Sequence, residues 1–166
     1  MKPKNRGGIS GVISMILMIA ITIVAVAIIW GVINNLISNK TKSAGCIGVF
    51  EKVLINNYYT CYNSSSDELK ISVELKDIKV DSAIVAVYDE SKSKTFELPS
   101  AGYFYVKPYS GSYNDALILP SQNSASTYIF NVNSSGIENA SMIKISPKIE
   151  GYQCEVSDTL LNIDDC

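Results

Sequence analysis

Two hydrophobic patterns divide the chain. Residues 9–37 read ISGVISMILMIAITIVAVAIIWGVINNLI, apolar on every face of a helix, with polar side chains only at Ser10, Ser14, Thr22 and the pair Asn34 and Asn35. As a helix this run extends about 44 Å at roughly 1.5 Å per residue, beyond the roughly 30 Å of a bilayer hydrocarbon core. Its many β-branched Ile and Val residues lower helix propensity in water. They suit surroundings in which the backbone must satisfy its own hydrogen bonds, in lipid or in a bundle of helices. Gly11, Ser14, Ala27 and Gly31 are small enough to let packed helices approach closely, and Trp30 near the outer end reads as an interfacial anchor or a bundle contact.

Beyond residue 44 the period changes to two. Leu69, Ile71, Val73 and Leu75 alternate with Lys70, Ser72, Glu74 and Lys76, and the same alternation recurs at Tyr128, Phe130 and Val132 and at Ile143, Ile145 and Ile149. Pro147 interrupts the last run and predicts an edge strand or a bulge. The continuous apolar run at residues 83–88 predicts a central strand covered on both faces. Residues 47–55, 95–98, 103–106 and 116–119 are further strand candidates, separated by clusters of Asn, Ser, Asp, Gly and Pro that mark turns. Short strands at this spacing predict an antiparallel sandwich. The expected fold class is therefore α+β, a long N-terminal hydrophobic helix followed by an all-β antiparallel sandwich head. The expected divisions are a basic N-terminal segment at residues 1–8, an apolar helix at 9–39, a linker at 40–45 and a β-sandwich at 46–166.

Charge sharpens the division. Residues 7–39 carry no charge, Lys2, Lys4 and Arg6 precede them, and the first acidic residue is Glu51. From residue 44 onward nine basic groups face sixteen acidic ones, a net charge of −7. So acidic a head is a poor surface for phosphate backbones, and no nucleic-acid partner is expected. The chain has no His, which closes off Ser-His-Asp and Cys-His catalysis; no enzymatic activity and no cofactor are expected. The adjacent carboxylates Asp67 and Glu68, Asp89 and Glu90, and Asp164 and Asp165 fall in turns or the tail and read as solvated charge, with a calcium site as the alternative. All ten tyrosines lie in the head. The stretch Tyr103, Phe104, Tyr105, Tyr109 and Tyr113 reads as sheet packing with its hydroxyls at the rim, or as an adhesive patch for glycans or neighbouring subunits.

The basic N-terminal tail favours a cytoplasmic location for that end. Four Asn-x-Ser/Thr sequons, at Asn39, Asn63, Asn133 and Asn139, and the cysteines at 46, 61, 154 and 166 all lie beyond the apolar core, which places the head outside the cell. No Cys-x-x-Cys spacing suggests zinc, so two disulfides are expected. Cys46 with Cys61 and Cys154 with Cys166 would each join a strand edge to the loop or tail that follows. The alternative, Cys46 with Cys166 and Cys61 with Cys154, suits a fold whose ends meet near the membrane. Residues 157–165 have little to bury and should fray unless a disulfide pins them.

Arg6-Gly7-Gly8-Ile9-Ser10-Gly11-Val12-Ile13, followed at once by the apolar helix, resembles the N-terminus of archaeal type IV pilins and archaellin-like proteins, which carry a class III signal peptide. The resemblance implies that a prepilin peptidase removes the leader at the cytoplasmic face and leaves the helix as anchor first and assembly core later. A cut after Gly7 keeps Arg6 at the family's offset, whereas a cut after Gly8 makes the apolar Ile9 the first residue and is preferred. The chain departs from the pattern in having two glycines and in placing Gly11 where Pro is common. Bacterial pilins carry a Glu near the start of the mature helix, and this chain has no acid there, so the archaeal branch is the better match. The implied function is a structural filament subunit, partnered by copies of itself or other pilins through the helix, with adhesion to a glycan or cell-surface target through the head. The competing expectation is a single-pass membrane-anchored β-sandwich binding protein that does not polymerise.

Overall fold

The structure, a computed structural model, describes the backbone of residues 8–166 and the side chains of residues 11–37 and 45–166. It divides into a helical unit and a head, Ser43–Cys166. Helix α1 spans Gly8–Ala44. It continues past residue 39 through most of the segment expected as a linker, residues 40–45. That segment contains no Pro to stop the helix.

The head strings together β1 (Val53–Ile55), β2 (Cys61–Asn63), β3 (Glu68–Leu75), β4 (Ser82–Tyr88), β5 (Ser93–Leu98), β6 (Val106–Pro108) and β7 (Ser124–Asn131). The short helix α2 (Val132–Ser135), β8 (Met142–Ile149), β9 (Tyr152–Gln153) and β10 (Asp158–Leu161) follow. One sheet has the order β1-β3-β7-β6, with β2 on the same edge of β3 as β1; the other has the order β10-β8-β4-β5, with β9 beside β8. The ladders are antiparallel, and the two sheets stack as a sandwich.

The alternation in β3 sends Leu69, Ile71, Val73 and Leu75 inward, where they meet Val85 and Val87 of β4 and Ile143 and Ile145 of β8 in one core. Full burial of such a side chain contributes roughly 1.5–3 kcal/mol. Between the sheets lies an aromatic cluster, with Phe96 of β5 at 6.3 Å from Tyr128 and 6.2 Å from Phe130 by ring centroids. Strand β4 is central, as its apolar run predicts.

Two local expectations are corrected, the edge-strand reading of Pro147 and the strands at 47–55 and 116–119. Pro147 lies not in an edge strand but in β8, a central strand paired with β4 on one side and with β9 and β10 on the other; the expected bulge is there, residues 154–157 standing opposite residues 146 and 147 alone. The Pro147 carbonyl accepts from the Cys154 N–H at 2.8 Å. In an antiparallel strand the nitrogen of a residue shares the edge of its carbonyl, so the missing N–H faces the gap between β9 and β10, and the ladder to β4 loses nothing. The tail at 157–165 is pinned by a disulfide, as its order was expected to require, although the bond is Cys61–Cys166, and it adds pairing of its own. It forms β10 on β8, with Ser157 and Leu160 buried. Of residues 47–55 only Val53–Ile55 forms a strand, and of residues 116–119 only Leu117 pairs, in a single bridge with Ser100.

The disulfides also differ from both expected pairings: Cys46 bonds Cys154 and Cys61 bonds Cys166, with Cα separations of 5.4 Å and 5.0 Å. The reason is direction. Strand β1 and the Asn56–Asn63 stretch run along one edge of the sandwich, so Cys46 and Cys61 stand at opposite ends of that edge and cannot meet. The segment from Cys154 through β10 to Cys166 lies beside this edge, joined by the Ile55 N–H donating to Asp158 Oδ2 at 2.8 Å and by a parallel bridge between Tyr62 and Asp165. Parallel traverse brings first to first and last to last. An antiparallel traverse would have produced the alternative pairing.

Candidate functional site

The helix offers a surface rather than a cleft. From Gly11 to Ile37 it is long and apolar enough to cross a membrane, and none of its window is buried within the chain. Among the described residues, exposure of its large apolar side chains runs from 40% at Ile33 to 68% at Met15 and Met18, on all sides of the helix. The hydroxyl of Thr22 donates to the Ile19 carbonyl at 2.8 Å, which satisfies it without water. A Cβ placed at Gly11 or Gly31 would meet nothing within 4 Å. At about 100° per residue, Ala20, Ala27 and Gly31 fall on one side of the helix, and Gly11 and Ser14 fall roughly opposite. The four candidate packing residues therefore form two opposed faces and not one stripe. Arg6 and Gly7 of the leader lie outside the described residues, as do the side chains of Ile9 and Asn39, and Gly8 is described only as the first residue of α1.

In the head, Asn133 and Asn139 are exposed, whereas Asn63 is half-buried and its Oδ1 accepts from the Ser65 N–H at 3.0 Å. The adjacent carboxylates serve separate partners. Asp67 accepts from the Tyr62 hydroxyl, and Glu68 pairs with Lys107 at 3.1 Å. Asp89 caps its own turn through the N–H groups of Ser91 and Lys92, and these bonds, the Ser91 N–H first, hold its carboxyl below the ordinary range. Glu97 is likewise held down, first by the Lys148 ammonium at 2.8 Å and then by the Ser82 hydroxyl. No cluster of His, Cys, Asp or Glu able to hold a metal ion occurs among the described residues.

The tyrosines separate into two groups. The hydroxyls of Tyr62, Tyr105, Tyr113 and Tyr128 donate to Asp67, the Thr95 carbonyl, Glu68 and the Ile118 carbonyl, and that of Tyr103 accepts from the Glu97 N–H. These serve the fold. Of the expected aromatic stretch, Tyr103, Tyr105 and Tyr113 thus pack, while Phe104 and Tyr109 are exposed. Tyr58 and Tyr59, which the strand pattern did not single out, join Tyr109 as exposed rings, at 96%, 67% and 65%. The signal for them was present: Asn56 and Asn57 mark a turn, and two adjacent tyrosines cannot both face a core from one strand.

Comparison of the chain with protein-family models and with curated proteins finds no match.

Proposed function

We propose that the chain is a structural subunit of an archaeal type IV pilus-like surface filament, held in the membrane by α1 before assembly and bundled through α1 afterwards. What supports this reading is a helix long and apolar enough to cross a membrane from Gly11 to Ile37, within a stretch that carries no charge from residue 7 to 39. Lipid tails and neighbouring apolar helices are equivalent surroundings for such a segment, so transfer from one to the other costs little. Two opposed faces of small residues suit a helix with neighbours on both sides. The Arg6-Gly7-Gly8 leader adds a reason for a prepilin peptidase as partner, which a plain membrane anchor does not need. The heads form the outer layer, hardened by two disulfides, and their exposed rings provide adhesion.

Intact mass and N-terminal sequencing of protein purified from its own membrane test the reading. A mature chain beginning at Gly8 or Ile9 is expected; a retained leader would sink it in favour of a membrane-anchored binding protein. Gly11→Leu and Ala27→Leu, one on each face, should each abolish filaments while leaving membrane insertion intact, as scored by electron microscopy and membrane fractionation.

A further inference from the structure

The edge strand facing β3 is broken in an unusual way. Ile55 pairs with Val73 and Cys61 pairs with Lys70, so residues 56–60 stand opposite Ile71 and Ser72 alone. The extra residues leave the ladder as a 3-10 turn, Asn57–Tyr59, and this turn is braced from every side. Asn56 Oδ1 accepts from the Tyr58 N–H at 3.1 Å, and its Nδ2 donates to Glu74 at 3.0 Å. The Asn56 N–H donates to the Ser72 carbonyl at 2.8 Å, and the Ser72 N–H donates to Thr60 Oγ1 at 3.1 Å. The Cys61–Cys166 disulfide closes the far end. A rigid device of this kind holds two tyrosines in solvent, where their rings and hydroxyls add nothing to the core.

Across β3 and β7 from this turn, Tyr109 rises from the end of β6. The three rings flank a cleft of about 510 Å³ floored by Cys61, Lys70 and Thr127, a volume within the roughly 300–1,000 Å³ of small-molecule sites. Lys70 shares the outer face of the sheet with Lys107, but Lys107 is paired with Glu68, whereas Lys70 takes part in no ion pair among the described residues. Among the described residues, Lys70 is the one cationic side chain lining this cleft, beside three exposed rings, and so is placed to meet an anion there.

We propose that this cleft binds acidic saccharides, glycans containing uronic-acid units. Tyr58, Tyr59 and Tyr109 supply flat apolar faces for pyranose rings together with free hydroxyls, Thr127 supplies a further hydroxyl, and Lys70 pairs with the sugar carboxylate. A single cation in the cleft of an acidic head does not suit a polynucleotide, which needs several phosphate contacts. The proposal gives the adhesive part of the function above a site and rests on it. Because the cleft belongs to the head alone, binding is measurable on a chain that forms no filament, and its failure is separate from failure of leader processing.

The test is calorimetric titration of the full chain in detergent micelles with trigalacturonate, its methyl ester and hexathymidylate. Trigalacturonate is expected to bind saturably. The ester, which keeps the rings and loses the charge, should bind about tenfold more weakly, the loss of one charge-assisted bond. Lys70→Gln should reduce trigalacturonate to the level of the ester. Tyr58→Ala combined with Tyr109→Ala should remove binding of both, and since both side chains are exposed the melting transition should not move. Absence of saturable binding, undiminished binding by these variants, or hexathymidylate bound as tightly as trigalacturonate would overturn the proposal.

Discussion

Burial governs how Tyr128 titrates. Its ring is enclosed between the sheets, its hydroxyl donates to the Ile118 carbonyl, and desolvation pushes its pKa up from 10.0 to about 12. Burial raises Tyr105 and Tyr113 in the same direction. The folded chain thus holds these protons more tightly than the unfolded chain. The associated stability is complete below pH 10 and is lost as pH rises through about 12. The midpoint of urea unfolding should fall between about pH 10 and 12, and Tyr128→Phe should flatten that fall while costing about 1 kcal/mol at neutral pH. A fall of unchanged steepness in the variant would place the sensitivity in other groups. Gly102 is constrained by space. At φ +127° its missing Cβ would lie 2.3 Å from the Asn114 carbonyl oxygen, so Gly102→Ala should cost at least roughly 1–3 kcal/mol, read from thermal melting.

Strand β10 shows how an element can be formed by its partner. Its own sequence, Asp-Thr-Leu-Leu, has one buried apolar residue, Leu160, which pairs with Ile143 of β8. Leu160→Ala should cost about 2–3 kcal/mol and increase amide exchange along residues 158–166 while β3 and β4 stay protected, a pattern that hydrogen exchange resolves. The strands legible from sequence were those whose own alternation declares a buried face: β3 through Leu69 to Leu75, β7 through Tyr128 and Phe130, β8 through Ile143 and Ile145, and β4 through its unbroken apolar run. The helix was legible from a different signal, an apolar run too long for a strand and without any period. Strands β2, β9 and β10 escaped because two to four residues cannot establish a period, and their pairing is imposed from across the sheet. Pro147 announced an interruption of pairing but not that its strand is central, because that depends on which edge its nitrogen faces, which only the register reveals. The cleft was half legible. Tyr109 stood in an aromatic stretch, but Tyr58 and Tyr59 and their distance from Lys70 depend on an interruption of pairing that no local pattern records.

For the whole head, the two disulfides act as one device. With Cys61–Cys166 intact, the loop that Cys46–Cys154 closes runs only from 46 to 61 and back from 166 to 154, roughly 27 residues, so each bond contributes roughly 3–4 kcal/mol in the chain-entropy model. The same ring serves either bond. Cys46→Ser with Cys154→Ser, and Cys61→Ser with Cys166→Ser, should therefore lower the unfolding free energy by nearly equal amounts, measured by denaturant titration, despite the different places of the bonds. A non-reducing peptide map should join the Cys46 and Cys154 peptides.

That ring also determines how the head responds to a pull. Tension between the end of α1 and anything gripped at Tyr58 and Tyr59 travels either directly along residues 46–58 or through Cys154, the tail and Cys166. Strands β3 to β9, which hold nearly all of the core, lie on neither route. If the edge peels, the chain runs out after about a dozen residues, roughly 40 Å, before covalent bonds draw taut. Such a head yields by one short stroke and then holds, whatever the force, with its interior still folded.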